Sequence, residues 1–410
     1  MLPPLRQGER TSSSRHGANR RYTPVVSRRH HVLLVPGFFG FANLGDFAYF
    51  THVQDLLGEI GPALGLEGEV RVVLTEPTAS LPRRAALLAE ALSSLLDEGP
   101  GEVSIVGHSS GGLDARLLMT PGVTLPTAID VERCARRVGA VVTVSTPHYG
   151  TPVAHLFNSM LGQQLLRILS LATIYTLRTG RLPISAALRL ARLLRRPGSR
   201  PSGVVDQLFL QLLADFSGSW RRAVEDFLVN VGSDQGLVAQ ITPAGMDLFN
   251  ASTLDRPGVR YGCVVTRARP PGLRSFFTAG LDAYAQATHA LFIVLYQFAS
   301  TTQGDRRPRI TAEHAAVLRR AYGRIPDVTA NDGIVPTLSQ LRGDGISAVW
   351  ADHHDVIGHF HLPKHVPPHF DWVASGTGFD RRGFEALWRD IAGYLVGVRR
   401  PLEAVRGPAA

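Results

Sequence analysis

Lysine is all but missing from this sequence. Lys364 is the single lysine among 43 basic residues in a chain of 410. We read that bias as genomic base composition rather than function. Cysteine is scarce too. Cys134 and Cys263 are the two present, which excludes a disulfide scaffold and a cysteine-rich zinc module. Their spacing does not pair them, and two buried thiols are expected. Long apolar runs are missing as well. The longest, Ala283 to Ala299, is interrupted by Gln286 and His289 and is short for a bilayer span. It reads as a buried or interfacial helix. The first 30 residues lack the continuous apolar core of a secretory signal. Val32–Val35 follows Arg28-Arg29, but the run is short and Pro36-Gly37 ends it. A cytoplasmic protein, or one peripheral to a membrane, is expected.

What remains is an ordinary globular composition. Apolar residues make up 44% and charged residues 19%, which excludes a disordered chain, a collagen and a coiled coil. The net charge of +9 is unevenly spread. Residues 1–30 carry seven Arg against Glu9, and residues 155–200 carry eight Arg and no acid. Together these segments exceed the net charge, so the rest of the body is mildly acidic. Residues 1–30 read as a disordered basic tail. No nucleic-acid recognition motif accompanies the charge, and no nucleic-acid partner is expected.

Short β-rich runs alternate with helical stretches. His31–Val35, Val70–Leu74, Glu102–Val106, Val138–Val144 and Val259–Val265 read as strands. Residues 82–96, Gly112–Met119 and 383–398 read as helices from their apolar spacing. Fully apolar strands alternating with helices predict an α/β, doubly wound, mostly parallel sheet covered on both faces. Residues 155–225 break the alternation with helical patterns alone, and predict a helical cap. There Ser185–Arg196 is amphipathic: Arg189, Arg192, Arg195 and Arg196 share one sector, and Ala187, Leu190, Leu193 and Leu194 the other. The core then comprises residues 31–154 and 226–400.

Val103–Gly112 is the most informative segment. It reads strand, then Gly107-His108-Ser109-Ser110-Gly111, then helix. A serine on such a sharp turn projects its hydroxyl above the sheet edge, and bulkier neighbours at Gly107 and Gly111 would collide with strand or helix. Ser109 is the candidate nucleophile. The backbone N–H of Ser110 is one candidate oxyanion donor. The glycine-rich turn Pro36-Gly37-Phe38-Phe39-Gly40, after the first strand, offers a second. A base and an orienting acid follow in the order acid, then histidine. Asn331-Asp332-Gly333, after an expected strand at Val328–Ala330, offers the acid. Asp352-His353-His354-Asp355 offers the base, with His359, His361, His365 and His369 beyond. A histidine cluster also suggests metal, but no cysteine joins it and no His-Glu-x-x-His helix occurs.

With these residues in hand, the chain resembles the bacterial triacylglycerol lipases of the α/β-hydrolase superfamily. The likeness rests on Val-Pro-Gly-Phe-Phe-Gly at 35–40, Gly-His-Ser-Ser-Gly-Gly at 107–112 and Ser-Thr-Pro-His-Tyr-Gly-Thr-Pro at 145–152. Asn-Asp-Gly-Ile-Val-Pro at 331–336 and Asp-His-His-Asp at 352–355 complete the series, and Met246–Asn250 adds a further family-like segment. The resemblance implies an α/β-hydrolase fold and a catalytic Ser109, Asp332 and His353, with Phe38 and Ser110 as oxyanion donors. An Asp two positions after the base, here Asp355, selects His353 over His354. The family's oxyanion loop usually begins His-Gly, whereas this chain has Pro36-Gly37. In calcium-binding members the residue matching Asp355 is a ligand. A second acidic ligand upstream of Asp332 is not located, and the triad chemistry itself requires no cofactor.

These readings together imply a serine ester hydrolase acting on lipid or other carboxylic esters through an acyl-enzyme. Acyl transfer or thioester cleavage by the same triad stays open, as does a non-catalytic membrane-binding relative. In the cap, Leu156, Phe157, Leu165, Leu166, Ile168, Leu169 and Leu171 suit an acyl channel or a lipid interface. The alternative is that its apolar face packs on the core.

Overall fold

The computed structural model describes residues 29–38, 49–99, 101–157, 234–301, 308–371 and 373–397. Within 158–233 it describes 168–169, 171–172, 175, 182–195, 202–218, 221–222, 224–225 and 228–229. Residues 1–28 of the expected tail, Phe39, Gly40, Leu165, Leu166, Arg196 and residues 398–400 lie outside these.

Six parallel strands form one sheet in the order β2-β1-β3-β4-β5-β6. They are β1 (Arg29–Val35), β2 (Val70–Val72), β3 (Gly101–His108), β4 (Val138–Val144), β5 (Arg260–Arg267) and β6 (Asp344–Trp350). Alternate residues of the central strands serve two cores. Val32, Leu34, Val106 and Val142 pack with α1 (Thr51–Ile60) and the closing helix α10 (Arg381–Leu395). Leu33, Val35, Ile105 and Val141 pack with α2 (Leu81–Asp97) and α3 (Gly111–Met119). This two-sided burial explains why the strands read as unbroken apolar runs. β2 and β3 flank β1 on opposite sides, so the winding reverses there. Doubly wound sheets bind ligands at the carboxyl ends beside such a reversal.

Boundaries moved where side chains found or lost partners. β1 starts at Arg29 rather than His31, because Arg29 and His30 pair with Gly101 and Glu102 of β3. β2 stops at Val72, short of the exposed Leu74. α10 starts at Arg381, capped by Asp380 accepting from the Gly383 N–H, and ends at Leu395. The strand expected at Val328–Ala330 does not form. Those residues make a turn in which Asp327 accepts from Thr329 and Ala330.

Within the segment expected to form a cap, α4 (Ile184–Arg195) and α5 (Ser202–Ala214) are helical as the pattern implied. Between β5 and Asp332 lie three more helices, α7 (Leu273–Ala279), α8 (Ala283–Ala299) and α9 (Ala312–Tyr322); α6 (Pro243–Ser252) precedes β5. The apolar face of α4 (Ala187, Leu190, Leu193) is buried in one cluster with Leu291 and Leu295 of α8. Each such leucine contributes roughly 2 kcal/mol by leaving water. That face therefore packs on the body rather than standing open. No helix among the described residues is long and apolar enough to cross a membrane.

Candidate active site

β3 ends at His108, and Ser109 takes a left-handed backbone, φ 54°. Its N–H donates to the Val144 carbonyl at 2.8 Å, which ties the strained turn to the end of β4. The glycines around it are obligatory on steric grounds. A Cβ on Gly107 would lie 2.4 Å from the Gly112 nitrogen, and one on Gly111 would lie 2.2 Å from the Val35 carbonyl oxygen. α3 starts at Gly111 and directs its positive end toward the turn. Ser110, its N-cap, is buried, and its hydroxyl has no hydrogen-bond partner among the described residues.

The turn after β1 presses directly on this serine. A Cβ on Gly37 would lie 2.6 Å from the Ser109 Cβ. Phe38 follows and packs near Phe157, ring centroids 6.2 Å apart. The Pro36 carbonyl accepts from Arg84 at 2.8 Å. Arg84 is fully buried and is held by Asp114 through both Nε and a terminal nitrogen, the latter at 2.7 Å. The loop is therefore anchored through a carbonyl. Proline in place of the usual histidine keeps that acceptor.

Asp332 sits in the tight turn Asn331–Pro336 and is fully buried. One carboxyl oxygen, Oδ1, accepts from the N–H groups of Ile334 at 2.9 Å and Val335 at 2.7 Å. The other, Oδ2, accepts from the Thr266 hydroxyl at 2.8 Å, Gln340 Nε2 at 3.2 Å and His353 Nδ1 at 2.8 Å. The Thr266 proton is thus directed to Asp332, so Ser145 donates to Thr266 across 2.9 Å. Ser145 is the other non-glycine residue with positive φ among those described. With Nδ1 donating to Asp332, Nε2 is the nitrogen of the His353 imidazole left to accept a proton. His353 and Ser109 line the same cavity, with Phe38, Phe157, Leu169, Val238, Ile241 and Leu295 among its apolar walls. Its volume is about 40 Å³, room for a few water molecules.

The predicted Ser109, Ser110, Phe38, Asp332 and His353 thus converge. His354 lines the cavity as well, but it is His353 that bonds Asp332, and burial holds the His354 imidazole well below the usual range. Of the cap residues named from sequence, Phe157 and Leu169 reach the cavity. Leu156, Ile168 and Leu171 are buried in the adjoining core. His52 stacks on His369 at 3.6 Å between centroids, away from the serine. Both cysteines are free and buried. Among the described residues, no three His, Cys, Asp or Glu side chains group to hold a metal ion.

Sequence reasoning missed Tyr49, Arg84, Asp114, Thr266 and Gln340. Arg84 and Asp114 left one signal: opposite charges on the apolar faces of two successive helices.

The comparisons with known proteins point one way. A triacylglycerol lipase of Pseudomonas fragi is 26% identical over 129 residues, 32% of this chain and 38% of that protein. A triacylglycerol lipase of Vibrio cholerae serotype O1 is 29% identical over 134 residues, covering 32% and 37%. The chain thus spans well under half the length of the curated relatives it matches. No protein-family model matches. Lipase 1 from Pelosinus fermentans superposes with a TM-score of 0.51 at 14% identity, covering 89% of this chain and 99% of that one. The lipase of Staphylococcus hyicus gives 0.50 at 15%, covering 92% and 97%. The fold is that of the α/β-hydrolases. In sequence the chain is lipase-like.

Proposed function

We propose that the protein is a serine carboxylic ester hydrolase. The observation that carries this reading is the 2.8 Å bond from His353 Nδ1 to the buried Asp332, on a histidine that shares its cavity with the strained Ser109. His353 Nε2 takes the Ser109 proton as Oγ attacks the acyl carbonyl. The N–H groups of Phe38 and Ser110 receive the developing oxyanion. Asp332 fixes the tautomer and stabilises the imidazolium. The alcohol leaves with the proton, and an ester to Ser109 remains. Water, deprotonated by His353, then releases the acid.

The apolar cavity walls favour acyl chains of lipid esters. The relatives are named triacylglycerol lipases, which supports the same substrate class.

Calcium chemistry finds support in the loop around His353. Asp352 and Asp355 are both buried, and Asp352 Oδ2 makes no hydrogen bond of good geometry among the described residues, although the Ser375 hydroxyl is close enough to lower that carboxyl's pKa. Calcium takes carboxylate and backbone carbonyl oxygens. Asp352 and Asp355 would hold the ion, which would neutralise the two carboxyls flanking His353 and take no part in bond making.

Labelling with a fluorophosphonate tests the central reading. Wild type is expected to label, and Ser109→Ala and His353→Ala are not. Ester hydrolysis by Ser109→Ala within tenfold of wild type would sink the proposal, since triad loss costs on the order of 10⁴–10⁶ in kcat.

A further inference from the structure

Helix α7 is built the wrong way round for a surface helix. It buries one residue, Ser275, and turns its large apolar side chains to solvent. Leu273 is 80% exposed, Phe277 62%, Phe276 40%, and Leu281 just beyond is 69%. Amphipathic surface helices of globular proteins do the reverse. The two phenyl rings stand edge to face, 5.5 Å between centroids. Beside them are Arg269 and Arg274, and neither pairs with a carboxylate among the described residues. Arg269 stacks on Trp350, and Arg274 lies near enough to lower its pKa further, after burial.

The position of this patch matters. All six strands are parallel, so their carboxyl ends share one edge, where Ser109 lies. α7 starts six residues after β5 ends at that edge. Behind it, Thr278, Ala279 and Gly280 line a cavity of about 380 Å³, which Asp355 also lines. The cap's own amphipathic helix, by contrast, has its apolar face covered by α8.

We propose that α7 with Leu281 is a docking surface for a lipid–water interface bearing anionic headgroups. Exposed phenylalanines and leucines enter the acyl boundary, and the guanidiniums of Arg274 and of Arg269, which donates to the Thr377 carbonyl but meets no carboxylate among the described residues, face the headgroups. The use of such docking rests on the ester-hydrolase reading, but the binding itself does not.

Co-sedimentation with phosphatidylcholine vesicles, with and without one third phosphatidylglycerol, tests it. Wild type is expected to sediment with the anionic vesicles. Leu273→Ser/Phe276→Ser/Phe277→Ser should lower the partition coefficient at least tenfold. Arg269→Gln/Arg274→Gln should lower it several-fold on anionic vesicles alone. Both variants should hydrolyse soluble p-nitrophenyl butyrate at the wild-type rate, which also reports an intact fold. Unchanged binding by the triple variant would overturn the proposal. So would wild type that ignores both vesicle types, or a dimer in solution that the triple variant dissolves. Vesicle binding by a wild type that fluorophosphonate never labels would uphold the surface and overturn the hydrolase reading.

Discussion

The phenol of Tyr49 and the imidazole of His108 meet at 2.6 Å, Oη to Nδ1. The other ring nitrogen of His108 lies 2.8 Å from the His353 carbonyl oxygen. A carbonyl accepts only, so His108 Nε2 carries the proton and Nδ1 accepts. Burial holds this imidazole well below the usual range, which keeps it neutral. Tyr49 therefore donates its proton to Nδ1, and its oxygen accepts from the Gly37 N–H at 3.4 Å. One directed chain of hydrogen bonds thus links the oxyanion loop to the backbone of the base.

Tyr49→Phe breaks that chain while keeping the ring. We expect kcat to fall about tenfold with KM nearly unchanged, since the loss acts on geometry at the reacting atoms. Stability should fall by about 1 kcal/mol, the net worth of one hydrogen bond. Equal changes in kcat and KM, or none, would show that the link does not position the site.

Much of this was legible in the sequence because local and global signals agreed there. Val138–Val144 reads as a buried strand and is one, with the same limits. The glycines around Ser109 are dictated by backbone contacts within the motif itself, so the motif announces them. Asp332 reads as a turn residue, and the strand expected before it does not form. Val328–Ala330 has β-prone residues, yet Asp327 captures their N–H groups into a turn. Long-range partners left no such trace. Thr266 and Gln340 reach Asp332 from 66 and 8 residues away. Tyr49 reaches His108 across 59, which no spacing rule reports.

Arg84 gives a sharper separation of stability from chemistry. Burial pushes the Asp114 carboxyl up to about 6, and Arg84 pulls it down. Arg84→Met leaves that carboxyl buried and alone, at a cost of about 3–5 kcal/mol. Arg84→Met/Asp114→Leu removes both charges and should recover most of the melting temperature. The Pro36 carbonyl still lacks its donor in the double variant. We therefore expect a stable protein whose kcat remains at least tenfold low. Full recovery of activity would show that the oxyanion loop holds itself.

Calcium is tested by stability rather than rate. Millimolar calcium should raise the melting temperature of wild type, and chelation should lower it, following ligand linkage to the folded state. Asp352→Asn should abolish the response. A melting temperature indifferent to calcium would mean that Asp352, pushed up to about 6 chiefly by burial, relieves its environment by protonation instead.

The histidines beyond His353 predict acid lability. Burial, with like charge as a lesser cause, pushes His52 down to about 3 and His359 and His369 down to about 4. Arg381 is the nearby cation that adds to this at His52 and His369. All three are neutral in the folded protein, whereas the unfolded chain binds protons near pH 6.5. The unfolded state therefore holds more protons between those limits, and stability is lost as pH falls from about 6.5 toward 4. Each histidine contributes on the order of 1–2 kcal/mol of that loss by pH 5. Melting temperatures across pH 5 to 8 should show a steep acid limb. His369→Gln keeps a donor for the Gly358 carbonyl, which Nδ1 now serves at 2.7 Å, and removes one titrating group. Its limb should be shallower than wild type. An equally steep limb would assign the acid loss to other groups.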